Sequence, residues 1–177
     1  AYMRVICNIS KQVAKDVWLR FLKELIHRGS LCEATKEMEE IQKVLGKEVV
    51  DAETADLHEE LFSKQIAQRA DFQELLKKVE ATHDLEQVRL SCETFIAKHP
   101  QSIATLRKLY DTLLALDHDD EAQTVEARLG ATIFQCGTLE DAEKIFIRML
   151  KSRADNSEAA LYLYACMMAR KVAPKLG

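Results

Sequence analysis

Glycine and proline are scarce in this chain: 177 residues hold five glycines and two prolines. All-β folds use a turn residue roughly every 8–12 positions, and phosphate-binding loops need clustered glycines. Neither demand is met, because the glycines stand far apart at Gly29, Gly46, Gly130, Gly137 and Gly177. Pro174 lies in the tail, which leaves Pro100 as the interior proline. With so few breakers and 47 % apolar residues, the chain reads as all-α. At this length a folded chain buries about 70 % of its unfolded surface, enough for a core.

Charge and cysteine usage narrow the function classes. The 25 Lys and Arg are interleaved with 29 Asp and Glu, as in Lys36-Glu37 and Glu143-Lys144, for a net charge of −4. This leaves no basic footprint, so nucleic acid is not an expected partner. The five cysteines (Cys7, Cys32, Cys92, Cys136 and Cys166) form no C-x-x-C pair. That spacing fits reduced, buried thiols in a cytoplasmic setting and does not fit a zinc site. No segment approaches the ~20 apolar residues of a membrane span, so no membrane insertion is expected. Arg4, Lys11 and Lys15 interrupt any signal-peptide core. The missing initiator Met suggests a piece of something longer.

Capping residues mark the helix starts. Ser30-Leu31-Cys32-Glu33 has the S-x-x-E form of a capping box. Asp71, Asp84 and Thr138 open close variants, and Asp51, Asp119 and Asn156 precede apolar-periodic runs. These starts predict about nine helices, over approximately 10–28, 31–45, 52–69, 72–82, 85–98, 101–116, 120–135, 139–152 and 157–171. Short connections make successive helices antiparallel neighbours. The later starts at Asp84, Gln101, Asp119, Thr138 and Asn156 recur every 17–19 residues. Two such steps have the length of a helix-turn-helix repeat, which points to an α-solenoid.

Trp18, Phe21, Leu22, Leu25, Gly29, Leu31, Ala34, Met38 and Ile41 form one pattern. Leu129, Gly130, Ile133, Gly137, Leu139, Ala142, Phe146 and Met149 form a second, and Gly137-Thr-Leu-Glu-Asp-Ala142 parallels Gly29-Ser-Leu-Cys-Glu-Ala34. Both resemble the tetratricopeptide repeat (TPR), in which a W-x-x-L/F-G-x-x-Y helix is followed by a glycine turn and a small residue. Asp155-Asn156 resembles the exit of such a repeat. The resemblance implies one TPR-like domain over 1–177, weakest over 49–83, where Ala55, Asp56 and Glu59 depart from the motif. The phase does not close: Pro100 and Gly137 each mark a second helix, yet alternate counting between them gives the wrong parity. A half-repeat, a shifted pairing or a capping helix must intervene.

The resemblance also implies a groove lined by first helices, with no chemistry of its own. Lys23, Ile26 and His27 on one helix and Arg107 and Asp111 on another are the expected groove residues; Leu19 and Asp16 would accompany them. A carboxylate clamp is not carried over, since Asn8 and Asn156 are the only asparagines. The last helix is apolar nearly all round, and Leu161, Tyr162, Leu163, Tyr164, Met167 and Met168 make it a candidate interface. The main expectation is a non-catalytic adaptor or scaffold for a protein or peptide partner, with no cofactor. One alternative is a homo-oligomer formed through the last helix. Another is a helical metalloprotein using the E-x-x-H pairs Glu24/His27 and Glu80/His83, whose one-turn spacing suits metal ligands. Against the metal, Val17, Trp18, Phe21, Leu22, Leu25 and Ile26 define a buried face opposite Glu24 and His27.

Overall fold

The computed structural model describes residues 11–45 and 52–172. Among them are eight α-helices: α1 (Lys11–His27), α2 (Leu31–Leu45), α3 (Ala52–Glu80), α4 (Leu85–Lys98), α5 (Ile103–Ala115), α6 (Asp119–Cys136), α7 (Leu139–Ser152) and α8 (Ser157–Val172). The all-α expectation holds, but the helix count is eight rather than nine. The helices expected over 52–69 and 72–82 are one 29-residue helix. Asp71 does not cap a new helix; its carboxylate lies 2.9 Å from His99 Nε2. No glycine or proline interrupts the Arg69-Ala70-Asp71-Phe72 stretch. The expected cap at Asp51 lies outside the described residues.

The chain divides into two compact units. Residues 1–74 together with Lys98–Gln101 make the first, and 75–97 with 102–177 make the second. In the first unit α1 packs on α2. Its core contains Trp18, Leu22, Leu25 and Ile26 from α1, Leu31, Ala34, Met38 and Ile41 from α2, and Leu57 and Leu61 from α3. Each set recurs at three- and four-residue steps, the signature of one helical face. Fully burying a leucine such as Leu22 stabilises by roughly 1.5–3 kcal/mol. The Trp18 indole N–H donates to Glu37 at 2.8 Å, so the largest core side chain keeps its polar atom satisfied. The α1 face is narrower than expected, since Val17 and Phe21 are 42 % and 40 % exposed.

The α1–α2 turn is a Schellman motif. Gly29 has φ +73°, Ser30 N–H donates to the Leu25 carbonyl at 2.9 Å, and Gly29 N–H donates to Ile26 at 3.2 Å. A Cβ on Gly29 would stand 2.8 Å from the Lys98 carbonyl oxygen. Gln101 occupies both ends of the expected Ser30–Glu33 box. Its Oε1 accepts the Glu33 N–H at 3.2 Å, and its Nε2 donates to the Glu33 carboxylate at 3.3 Å.

In the second unit α6 packs on α5 and α7, α7 on α8, and α6 also touches α8. Val88, Cys92 and Ile96 of α4 share a core with Leu106 and Leu113 of α5, Leu129 and Ile133 of α6, Ala142 and Phe146 of α7, and Cys166 of α8. A Cβ on Gly130 would meet the Phe146 ring at 2.7 Å, so glycine is what lets α6 and α7 approach this closely. Tyr162 of α8 stacks on Phe146 at 4.9 Å between centroids and meets Phe134 edge-on at 5.8 Å.

The expected caps at Asp84, Thr138 and Asn156 form. Asp84 Oδ1 accepts the Glu86 amide at 3.0 Å, Thr138 Oγ1 accepts from Asp141 at 3.2 Å, and Asn156 Oδ1 accepts from Ala159 at 3.0 Å. Gly137 closes α6 at φ −106°, unlike Gly29. The turn that matches Gly29 in geometry is Asp117, at φ 59°. There His118 N–H reaches Leu113 at 2.9 Å and Asp117 N–H reaches Leu114 at 3.2 Å.

Candidate interaction surfaces

Helix α8 divides into two faces along a nearly all-apolar sequence. Ala159 and Cys166 are fully buried, and Tyr162 and Leu163 pack against the core of the second unit. The other face is open: Leu161 is 68 % exposed, Tyr164 61 %, Met167 51 % and Met168 41 %. Leu161, Tyr164 and Met168 follow i, i+3, i+7 spacing, so they form one continuous stripe. Neither Glu158 nor Arg170 belongs to the stripe: Glu158 lines a neighbouring cleft, and Arg170 follows Leu163 and Cys166 on the packed side. Arg170 also reaches Glu143 of α7 at 2.8 Å.

A second feature is the cleft where the C-terminal ends of α5 and α7 meet the N-terminal portions of α6 and α8. Its volume is about 730 Å³, and Tyr110, Glu126, Gln123, Met149, Arg153 and Glu158 are among its lining residues. Glu126 is only 6 % exposed and accepts a hydrogen bond from Arg148 Nε. The Arg148 guanidinium in turn sits 5.3 Å above the Tyr110 ring, a cation–π contact. Burial, with the nearby Glu126 charge adding, raises the Tyr110 pKa above its ordinary value. Arg153 Nη1 donates to Gln123 at 3.1 Å across the cleft wall. The sequence reading missed this group. The signal was there: Ala122, Glu126, Leu129 and Ile133 share one helical face, and an acid on an apolar face needs a partner.

The expected groove residues do not behave alike. Lys23 and His27 are exposed on α1, and Arg107 and Asp111 are exposed on α5. Ile26 is a correction: it is fully buried in the first unit's core. Its backbone carbonyl accepts from Lys64 Nζ at 3.1 Å. Leu19, at 4 % exposure, is core as well. Both residues lie on the face that packs against α2 and α3, so neither side chain can line a groove.

For the E-x-x-H pairs, Glu24 is engaged by Arg28 one turn later, and Glu80 and His83 are exposed. Among the described residues no group of three or more His, Cys, Asp or Glu is placed to hold a metal ion. Cys32, Cys92, Cys136 and Cys166 are free thiols, and burial pushes the Cys92 thiol up to about 11. No helix among the described residues is long and apolar enough to cross a membrane. Compared with protein-family models, curated proteins and solved structures, the chain matches none of them.

Proposed function

We propose that this chain is a non-catalytic protein-interaction module. It is an α-solenoid of antiparallel hairpins, similar to the tetratricopeptide repeat, that buries a partner helix. The observation that carries the reading is the open apolar stripe of α8, Leu161, Tyr164, Met167 and Met168. Exposed apolar stripes of this kind mark contact surfaces, and methionine adapts to the shape of what it meets. The free thiols of Cys32, Cys92, Cys136 and Cys166 suit a reducing, cytoplasmic setting.

Two sets of contacts support the solenoid. Partners across helix pairs run in opposite order. Thr35 accepts from Gln65 while Gln42 bonds His58, and Glu126 pairs with Arg148 while Gly130 abuts Phe146. Antiparallel neighbours produce that descending order. The α6–α8 contact fits equivalent first helices of consecutive hairpins. In that phase α6 and α7 form a hairpin, α8 opens the next, and α5 is a second helix. The conflict between Pro100 and Gly137 then resolves, because Pro100 falls inside a hairpin rather than at its exit. Arg107 and Asp111 sit on a second helix and leave the groove face.

Affinity capture from the native source tests the reading. Wild type should retain a protein partner that a Leu161→Asp/Tyr164→Asp variant of unchanged helical circular dichroism does not retain. An Arg107 charge reversal should retain it. Equal retention by wild type and the α8 variant, or none by wild type, overturns the reading.

A further inference from the structure

The consecutive residues Lys98–Gln101 belong to the first unit, although the chain on either side of them belongs to the second. The Lys98 carbonyl and the Pro100 ring face the bare Cα of Gly29, where a Cβ would stand 2.8 and 3.3 Å from them. His99 Nε2 lies 2.9 Å from the Asp71 carboxylate in α3. Gln101 bonds both the amide and the carboxylate of Glu33 in the first turn of α2. One short segment thus ties the α1–α2 turn, the start of α2 and α3 to one another.

Its attachments differ in kind from those between the helices. Both apolar cores are built without it. Trp18, Leu22 and Leu61 belong to the first core, while Ile96 before the segment and Leu106 after it belong to the second. Lys98 is exposed, and His99, Pro100 and Gln101 are partly buried. The printed bonds that hold the segment are polar, and each bond of this kind shifts an equilibrium by roughly 3- to 10-fold. Three of them hold it closed by on the order of 100-fold. Unfolding a whole core is disfavoured by on the order of 10⁴-fold or more.

We infer that Lys98–Gln101 is a strap that opens and closes on the first unit as one piece while both cores stay folded. Opening releases the Asp71 carboxylate, the Glu33 amide and the Gly29 turn together, because the residues that hold them are consecutive on one backbone. Access to this end of the first unit is then a conformational step of its own, distinct from unfolding.

One amide reports the strap. The Glu33 N–H stands in the first turn of α2, where the helix supplies no carbonyl, and Gln101 Oε1 is its acceptor. The next amide, Ala34, bonds the Ser30 carbonyl and reports the helix itself. Native-state hydrogen exchange of the full chain, read by NMR at rising sub-denaturing urea, tests the inference. Glu33 should be protected on the order of 100-fold at every urea concentration. Leu22 in the core should be protected on the order of 10⁴-fold or more, with a steep urea dependence. His99→Ala removes no bond to Glu33, yet it should lower Glu33 protection about 5-fold. Asp71→Ala repeats that test from the other partner should His99→Ala fold poorly. Ile41→Val weakens the first core and should lower Leu22 protection about 5-fold while leaving Glu33 unchanged. Glu33 protection that falls with urea as steeply as that of Leu22, or that follows Ile41→Val, overturns independent opening. Glu33 protection unmoved by His99→Ala and Asp71→Ala overturns opening as one piece. Ala34 exchanging as fast as Glu33 in every variant places the opening in α2 and overturns the strap.

Discussion

Gly29 and Gly137 each end a helix and precede the same run, a polar residue, a leucine and, three residues further on, an alanine. Their turns are built differently. Gly29 sits at φ +73°, where only glycine is at ease, and its bare Cα faces the Lys98 carbonyl. The helix after it is capped by Gln101, 68 residues from the Glu33 it binds. Gly137 sits at φ −106°, and the helix after it is capped locally. Thr138 and Asp141 exchange hydrogen bonds at 2.9 and 3.2 Å. One turn depends on a distant segment, and the other is complete within four residues. The same motif can therefore end in a turn set by tertiary contacts or in one set by its neighbours.

Substitutions at the two turns separate these cases, most simply by equilibrium unfolding in urea. Gly29→Ala should cost most, about 2–3 kcal/mol, from left-handed strain plus the clash with the Lys98 carbonyl. Gly137→Ala should cost about 1 kcal/mol, because the contact to relieve is with Ile133, one turn back in α6. Equal losses would break the comparison. Gln101→Ala and Thr138→Ala should each cost about 1 kcal/mol. In hydrogen exchange, however, the first should loosen the start of α2 and the second the start of α7. Asp117→Gly should stabilise by about 0.5–1 kcal/mol, since a side chain at φ 59° carries a left-handed strain that glycine does not.

The smallest effect is a pH dependence near the Gly29 turn. The hydrogen bond from His99 holds the Asp71 carboxyl below its ordinary range, burial opposes this, and the Lys98 and His99 charges add to the lowering. A depressed folded pKa stabilises above the unfolded value of 3.8. That stabilisation is lost as pH falls through the lowered folded value. Asp71→Asn should therefore lower Tm slightly near neutrality and flatten the limb between about pH 5 and pH 2, the two proteins converging at the acid end.

Much of the helix layout was legible because its determinants are local. Asp84, Thr138 and Asn156 each bond amides two or three residues ahead, so spacing alone finds them. Asp71 has the same appearance but is bonded to His99, and no local rule foresees a partner 28 residues away. Ile26 illustrates the same limit for sites. Periodicity already puts Ile26 on the buried face with Trp18 and Leu22, and that is where it lies; its groove assignment comes from the repeat resemblance, which does not fix the flank of α1 that receives its neighbours. The α8 stripe could be anticipated as a surface, since an all-round apolar helix has more face than one neighbour covers. The division between Tyr162, which is packed, and Tyr164, which is exposed, required the positions of Phe134 and Phe146.

The Glu126–Arg148–Tyr110 group has a consequence for how this chain avoids misassembly. Helices with similar apolar faces invite pairing out of register. Glu126 is a buried acid on the α6 side that meets α7, and the observed alignment of the two helices brings Arg148 to it. A one-turn slip would take the Arg148 guanidinium away from this buried carboxylate, at a cost of about 3–5 kcal/mol. That penalty is comparable to a sizeable part of a domain's net stability. The pair thus acts as a key to the α6–α7 alignment, and Glu126→Leu should produce a chain that still folds but tolerates out-of-register helix pairing, seen as entangled oligomers after refolding at high concentration.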